Sequence, residues 1–301
     1  MNRKIDTFLK NPQYIMTSLA SRGFLNWIPD SIYIKILYRL ILGEKCNLKN
    51  PVTYNEKLQW LKLHDRKDIY SVMVDKYRVR DYIAQKLGEQ YLIPLLGVYD
   101  RFEEVDFDTL PDQFVMKCTH DSGSVIICKD KEMLDIKKVQ KKLEKAMKRS
   151  YYSAYREWPY KNVKPRIIIE KFMVDESGDD LKDYKVMCFG GKAQIIETHE
   201  NRFTAGREHT QTFYDRDWKQ LPIIQEGLNP VSEKREKPAL MDEILRLSEV
   251  LSKDLKHARI DWYIINGKPY FGEITFYDGS GFEAFPRKED EIFLGNLIHL
   301  E

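Results

Sequence analysis

Asp261 and Glu273 are the acids of this chain whose surroundings could do chemistry. Both lie in the stretch Ala258–Pro286, ARIDWYIINGKPYFGEITFYDGSGFEAFP, each amid apolar residues. The pair Asn266-Gly267 accepts the positive φ angles of a tight hairpin, so the stretch reads as two short strands. Side chains alternate along a strand, which puts Arg259 beside Asp261 on one face and Thr275 beside Glu273. The loop Asp278-Gly279-Ser280-Gly281 that follows is short on side chains and rich in backbone N–H groups. Acids on adjacent strands next to such a loop form a seat for a divalent metal and a phosphate.

Other residues with chemical potential lie upstream. Asp75 caps a helix carrying Val79, Ile83 and Leu87, with Gly88 as its stop. Lys76 in its first turn opposes the helix dipole, a placement that suits a bound anion or is simply an exposed lysine. Two apolar strands, 114–118 and 124–128, enclose Thr119-His120-Asp121-Ser122-Gly123, with Lys117 just before the loop. That arrangement can fold over a triphosphate, or be a hairpin with an incidental lysine. Glu170-Lys171 interrupts the apolar run Arg166–Met173, and charges in such a strand call for a partner. Lys185 shares a strand face with Asp183. Arg202, Arg207 and His209 sit in a long polar stretch, 199–235, read as irregular.

The elements that must hold these residues follow from hydrophobic period and caps. Residues 1–74 read as helical: Ser31 would cap a segment ending at Leu42 before Gly43, and Thr53 with Glu56 forms a capping box for a second. Residues 135–149 form a basic helix with Ile136, Val139, Leu143 and Met147 on one stripe, and 236–255 an amphipathic one. Strands are expected at 183–189 and 193–198, joined at Gly190-Gly191. With 301 residues and a net charge of +2, the chain can bury a large core and has no electrostatic pull toward nucleic acid. Four scattered cysteines fit reduced thiols in a cytoplasmic protein. The start of the chain lacks a signal-peptide pattern. Phe24–Leu42 is broken by Pro29, Asp30, Lys35 and Arg39, so it packs on the main body or lies on a membrane surface rather than crossing one.

The order of these motifs resembles the ATP-grasp superfamily, in the TupA-like branch associated with teichuronopeptide and bacterial surface (capsular) polysaccharide biosynthesis. The resemblance runs over roughly residues 50–300, from Asp75-Lys76 through Lys117 with its DSGS loop, EKFM (170–173), Asp183-Tyr184-Lys185 and Arg259-x-Asp261 to Glu273-x-Thr275. It implies an α+β fold in which two subdomains grip ATP between them, with a helical N-terminal region at 1–74, a small subdomain at 75–173 and a large one at 174–301. It implies ATP and Mg2+ as cofactors. Lys76 and Lys117 would hold phosphates, Ser122, Gly123 and Ser124 would belong to the closing loop, and Glu170, Lys171, Phe172 and Met173 would receive adenine. Lys185 would contact phosphate, Arg259 would steady the reaction intermediate, and Asp261 and Glu273 would bind magnesium, Glu273 as the bridge. Thr275 stands where the superfamily usually has asparagine, which bears on the second metal site. Gly279, Ser280 and Gly281 would place substrate. Arg202, Arg207 and His209 would meet an acidic sugar or amino acid, if they are not solvated loop residues. The implied activity is a carboxylate–amine ligase forming an amide through an acyl phosphate, acting on small or glycan-linked substrates in the cytoplasm or at the inner face of the membrane. The alternatives are a kinase on the same fold, an inactive nucleotide-binding scaffold or a glycosyltransferase.

Overall fold

The computed structural model describes residues 11–175, 181–201, 206 and 208–300. Helices occur at Pro12–Ser21 (α1), Asp30–Leu42 (α2), Tyr54–His64 (α3), Asp68–Val74 (α4), Val79–Lys86 (α5), Ile136–Met147 (α6), Tyr151–Tyr155 (α7), Met241–Ser252 (α8) and Lys288–Asn296 (α9). Strands occur at Leu95–Tyr99 (β1), Phe114–Cys118 (β2), Ile126–Cys128 (β3), Ile167–Lys171 (β4), Asp183–Phe189 (β5), Lys192–Glu200 (β6), Thr210–Asp215 (β7), Gln220–Leu221 (β8), His257–Ile265 (β9) and Lys268–Thr275 (β10). The chain forms two compact units: Met1–Cys46, Trp60–Arg80 and Pro94–Phe172 make the first, and Asn47–Gln59, Asp81–Ile93 and Met173–Glu301 the second.

The first unit holds an antiparallel sheet in the order β1-β4-β2-β3. On β2 the alternation of side chains sends Phe114, Met116 and Cys118 into a core with Ile167, Ile169, Val139 and Leu143. β4 buries Ile167 through Glu170 without a break, as a strand covered on both faces must. Of the apolar stripe on α6, Val139 and Leu143 are buried while Ile136 is exposed. In α2 the N-cap is Pro29 and Ser31 lies inside the helix, contrary to the expected cap, because the Pro29 carbonyl already accepts from the N–H groups of Ile32 and Tyr33. Gly43 ends that helix at φ 73°, as glycine readily does. Tyr33, Ile34, Leu37 and Tyr38 are buried, whereas Phe24, Trp27, Ile32 and Ile36 are exposed. Among the described residues no helix is long and apolar enough to cross a membrane.

The second unit is built on a sheet in the order β10-β9-β5-β6-β7-β8, every pair antiparallel. β7 and β8 lie inside the stretch expected to be irregular. The stretch reads as polar because β7 buries Gln211 and Thr212 alongside Phe213 and Tyr214. α8, shorter than the amphipathic pattern suggests, buries Ile244, Leu247 and Leu251 and packs on β5, β6 and β9. It also fixes the sheet by a hydrogen bond from Trp262 Nε1 to Ser248 Oγ at 2.9 Å. Asn266 (φ 50°) and Gly267 (φ 70°) turn β9 into β10 in left-handed conformations. The hairpin has a bulge at Gly272: Phe271 pairs with Trp262 but Glu273 pairs with Asp261. A Cβ at Gly272 would lie 3.1 Å from the Asp261 carbonyl, so the backbones approach closely at this point. Thr53 and Glu56 form the expected capping box on α3, the Glu56 carboxylate also receiving the N–H groups of Asn47 and Val52.

Under this sheet His257 is buried between the Cys188 carbonyl (3.1 Å from Nδ1) and the Tyr54 hydroxyl (3.0 Å from Nε2). The carbonyl can only accept, so Nδ1 donates and Nε2 takes the tyrosine proton. Burial holds the ring neutral and Arg259 adds to this, bringing its pKa down to about 3. The unfolded chain takes up that proton below about pH 6.5 and the folded one does not, so stability falls as pH drops through that window, by up to about 1.4 kcal/mol per pH unit. His257→Gln is expected to flatten this part of the profile. Urea unfolding near about pH 7 and about pH 4.5 measures it; an unchanged difference between the two pH values would rule the histidine out.

Candidate active site

The face of the second sheet turned away from α8 carries the charged residues. Strand alternation places Arg259 and Asp261 on it from β9, and the register puts Lys185 of β5 opposite Asp261 on one side and Glu273 of β10 opposite it on the other. Glu197 of β6 stands opposite Lys185, and Thr275 opposite Arg259. Four adjacent strands thus contribute a row of charges, Glu273–Asp261–Lys185–Glu197.

Arg259 binds Asp261 as a fork, Nε to Oδ1 at 2.8 Å and a terminal nitrogen to Oδ2 at 2.9 Å. Its other terminal nitrogen donates to Asp278, and it reaches Thr275 Oγ1 at 3.5 Å and Glu273 at 3.7 Å. Lys185 Nζ donates to Asp261 Oδ2 at 2.8 Å. Burial opposes the charge on Asp261, but Arg259 and then Lys185 outweigh it and hold its pKa at about 2. Burial likewise works against Arg259, and Asp261, Asp278 and Glu197 more than offset it. Burial pushes Glu283 up to about 7, with Asp278 and Glu197 adding to the shift. Around the two cations stand Asp183, Glu197, Asp261, Glu273, Asp278 and Glu283, an excess of acid that favours a positive ligand.

The magnesium ligands assigned by resemblance can be tested on this geometry. Among the described residues no three acidic, histidine or cysteine side chains converge as a metal cage. Asp261 has both oxygens engaged by cations, whereas the Glu273 side chain is 39% exposed. Magnesium is ordinarily held by one or two carboxylates together with water and phosphate oxygens, and the oxygen donors of Glu273 and Asp261 fit that pattern. Thr275 can add a hydroxyl oxygen.

The loop after β10 takes a left-handed course at Gly279 (φ 51°), Ser280 (φ 56°) and Gly281 (φ 65°), and the Ser280 N–H donates to the Tyr277 carbonyl at 2.9 Å. Both glycines hold positive φ, and an added Cβ would have to displace a neighbouring side chain at each. A Cβ at Gly279 would meet the Glu283 carboxyl at 2.0 Å, and one at Gly281 would meet Gln59 Nε2 at 2.6 Å. Gln59 locks the loop by donating to the carbonyls of Ser280 and Gly281.

In the first unit, Lys117 and Glu170 meet across β2 and β4 at 2.6 Å, and Arg80 binds the other Glu170 oxygen at 3.2 Å. The partners of Glu170 are therefore Lys117 and Arg80 rather than its neighbour Lys171, which is exposed. Lys76 lies in the turn before α5 rather than in its first turn, and its Nζ donates to the Asp121 carbonyl at 2.8 Å, tying that turn to the loop. Ser124 is buried and closes that loop, donating to Asp121 and accepting from the Cys118 N–H, while Ser122 and Gly123 are exposed. Lys171 and Phe172 line an open depression of about 830 Å³ with Leu96, Pro111, Gln113 and Lys129. Met173 is half-buried. Arg202 and Arg207 lie outside the described residues.

Glu197, His199, Gln211 and Asp278 escaped sequence reasoning. Glu197 Oε1 receives His199 Nε2 at 2.5 Å and Gln211 Nε2 at 2.8 Å, and His199 Nδ1 lies 2.8 Å from His209 Nε2. Burial opposes the charge on Glu197, yet His199, Arg259 and Lys185 bring its pKa to about 2. The alternation Glu197-x-His199 was the available signal.

An α+β chain with a charged row on the open face of an antiparallel sheet is thus defined. The family model for TupA-like ATP-grasp proteins matches residues 56–299, and the chain belongs to that family. No curated protein matches it. Among solved structures, the D-alanine–D-alanine ligase of Bacillus anthracis with ATP is 19% identical, over 68% of this chain and 55% of its own, with a TM-score of 0.40. The Helicobacter pylori ligase is 16% identical over 82% and 69%, with a TM-score of 0.39. The ATP-grasp ligase PsnB, solved with a phosphomimetic variant of its minimal precursor, Mg and ADP, is 9% identical over 94% and 71%, with a TM-score of 0.44. The chain spans 55% and 60% of the two B. anthracis ligase chains it matches.

Proposed function

We propose that this chain is an ATP-dependent ligase that joins a carboxylate to an amine with release of ADP and phosphate. The acid is a uronic acid or an amino acid, and the amide decorates a bacterial surface polysaccharide or its precursor. The observation that carries the reading is the Arg259 fork on Asp261, set in register with Glu273 and Lys185 in a chain of the TupA-like ATP-grasp family.

A substrate carboxylate oxygen attacks the terminal phosphorus of ATP, giving an acyl phosphate and ADP. The amine then attacks the acyl carbon and phosphate leaves. In phosphoryl transfer the protein's work is mostly charge neutralisation and positioning. Lys117 exchanges the Glu170 carboxylate for a phosphate, and Lys76 adds a second cation. Magnesium, when held by Glu273 and Asp261, supplies further neutralisation of the transferring group. Arg259, fixed by Asp261 and Asp278, sets beside the acyl group a charge that proton transfer cannot remove. The Gly279–Gly281 loop places the substrate near the reacting carboxylate.

The test supplies ATP, Mg2+ and a panel of uronic and amino acids and reads ADP release, with hydroxylamine present as a trap. The expected result is a hydroxamate that depends on ATP and on one acid. ADP release with a stable phosphorylated product and no hydroxamate would replace the ligase by a kinase. Thr275, where asparagine is usual, favours a second reading, a nucleotide-binding protein without turnover, and ATP binding with no ADP release from any pair would establish it.

A further inference from the structure

We propose that the exposed side of α2 and the turn leading into it form a docking surface for an anionic lipid bilayer, on which the protein rests without crossing it. The surface belongs to the first unit and needs neither ATP nor a ligase substrate.

The two sides of α2 differ in kind. Tyr33, Ile34, Leu37 and Tyr38 face inward and are buried, while Ile32, Lys35, Ile36 and Arg39, at helical spacing on the other side, are exposed. The inward side is fixed. The Tyr33 hydroxyl donates to the Ala154 carbonyl at 2.9 Å, and the Arg156 guanidinium lies 4.0 Å from the centre of the Tyr33 ring. The helix therefore cannot roll Ile32 and Ile36 into the core. The turn before it is equally well held. Its backbone N–H groups at Phe24, Asn26 and Ile28 donate to the carbonyls of Leu19, Gly23 and Leu25, and buried Arg156 also donates to the Leu25 carbonyl at 2.8 Å. On this ordered backbone Phe24 is 64% exposed and Trp27 79%. Two aromatic and two branched side chains held in water within one short segment mark a contact surface rather than the scattered exposure of an ordinary one.

Charge identifies what it contacts. Asp30 is the one acid between Asn11 and Gly43, and it is taken up by Arg66 at 3.0 Å, Arg156 at 3.3 Å and the Tyr152 hydroxyl. The exposed charges of the segment are Arg22, Lys35 and Arg39, all positive. Lipid phosphates attract such cations, whose long stems lie along apolar surface while their heads stay at the headgroups. Tryptophan and phenylalanine settle at the same depth, where one side is apolar and the other wet. A second copy of this chain suits the surface poorly. Two-fold pairing of this face would set Lys35 and Arg39 against the same cations, with no exposed acid in the segment to answer them.

Cosedimentation of the full chain with lipid vesicles reads the surface without any substrate. Binding is expected to vesicles of equal parts phosphatidylcholine and phosphatidylglycerol, weakening as salt rises, and should be far weaker to phosphatidylcholine alone. Lys35→Glu with Arg39→Glu should lower the partition coefficient about 30-fold or more, which corresponds to about 1 kcal/mol for each cation removed. Trp27→Ser should lower it about 10-fold or more. All three side chains are exposed, so the urea midpoints should not move. Lipids brominated on their acyl chains should quench the tryptophan fluorescence of the bound protein, and Trp27→Phe should remove most of that quenching while most of the binding remains. Equal binding to both kinds of vesicle, or quenching that survives Trp27→Phe, overturns the surface. A dimer that Trp27→Ser disperses, in protein that binds neither vesicle, gives the face to a second copy and overturns it as well.

Discussion

Glu273→Gln is expected to lower ATP-dependent turnover by roughly 100-fold or more while leaving the fold intact. The carboxylate stands in register with Asp261 and is the more open acid of the row. The charge of Asp261 is already largely balanced by Arg259 and Lys185, so a cation arriving with ATP gains most of its protein charge from Glu273 while Asp261 keeps oxygen capacity to share it. The amide keeps the size and removes the charge. Because the side chain is 39% exposed and Arg259 keeps its bonds to Asp261 and Asp278, the urea midpoint should shift little. Steady-state ADP release across a magnesium titration reads the effect. A variant that turns over at the normal rate would remove Glu273 from the reaction.

Arg259→Met should be the most damaging single change for stability. Among the described residues it leaves Asp261 with Lys185 as its cation and Asp278 with none in hydrogen-bond reach, in a site where both carboxylates are about 4% exposed. Breaking a buried pair by removing one partner costs on the order of 3–5 kcal/mol, because the desolvation of the other is no longer compensated. Arg259→Lys keeps a charge but loses the planar fork that spans Asp261 and Asp278 together, so it should recover only part of the loss. The double variant Arg259→Met with Asp261→Asn should be more stable than Arg259→Met alone. Denaturant unfolding of the three proteins decides it, and a loss below about 1 kcal/mol in Arg259→Met would show that the cluster does not depend on the guanidinium.

Local rules reached much of this. Asn266-Gly267 announced the hairpin, Thr53 with Glu56 the start of α3, and strand alternation placed Arg259 beside Asp261 and Lys185 beside Asp183. What stayed hidden depends on register between strands. Within the expected β5–β6 hairpin, only the register shift between Met187 and Cys188 sets Glu197 opposite Lys185, and nothing near Asp278 says that Arg259 will reach it. β7 was hidden for a different reason. Gln211 and Thr212 are buried polar residues satisfied across the sheet, so the strand reads as loop in any local window. Lys117 and Glu170 stood out singly as charges in apolar strands. That they are one another's partners followed only from the pairing of β2 with β4.

The bulge at Gly272 acts as a phase shift in the hairpin. Before it, β10 runs in the phase of the core, with Phe271 opposite Trp262; after it, the strand runs in the phase of the chemistry, with Glu273 opposite Asp261. In a regular ladder that paired Gly272 with Asp261 and kept Phe271 against Trp262, Glu273 would stand opposite Ile260 and turn toward the apolar layer. Deleting Gly272 would let Phe271 stay opposite Trp262 and Glu273 opposite Asp261 in a ladder without the bulge. The unpaired glycine lets Phe271 and Glu273, two residues apart, face opposite sides of one strand.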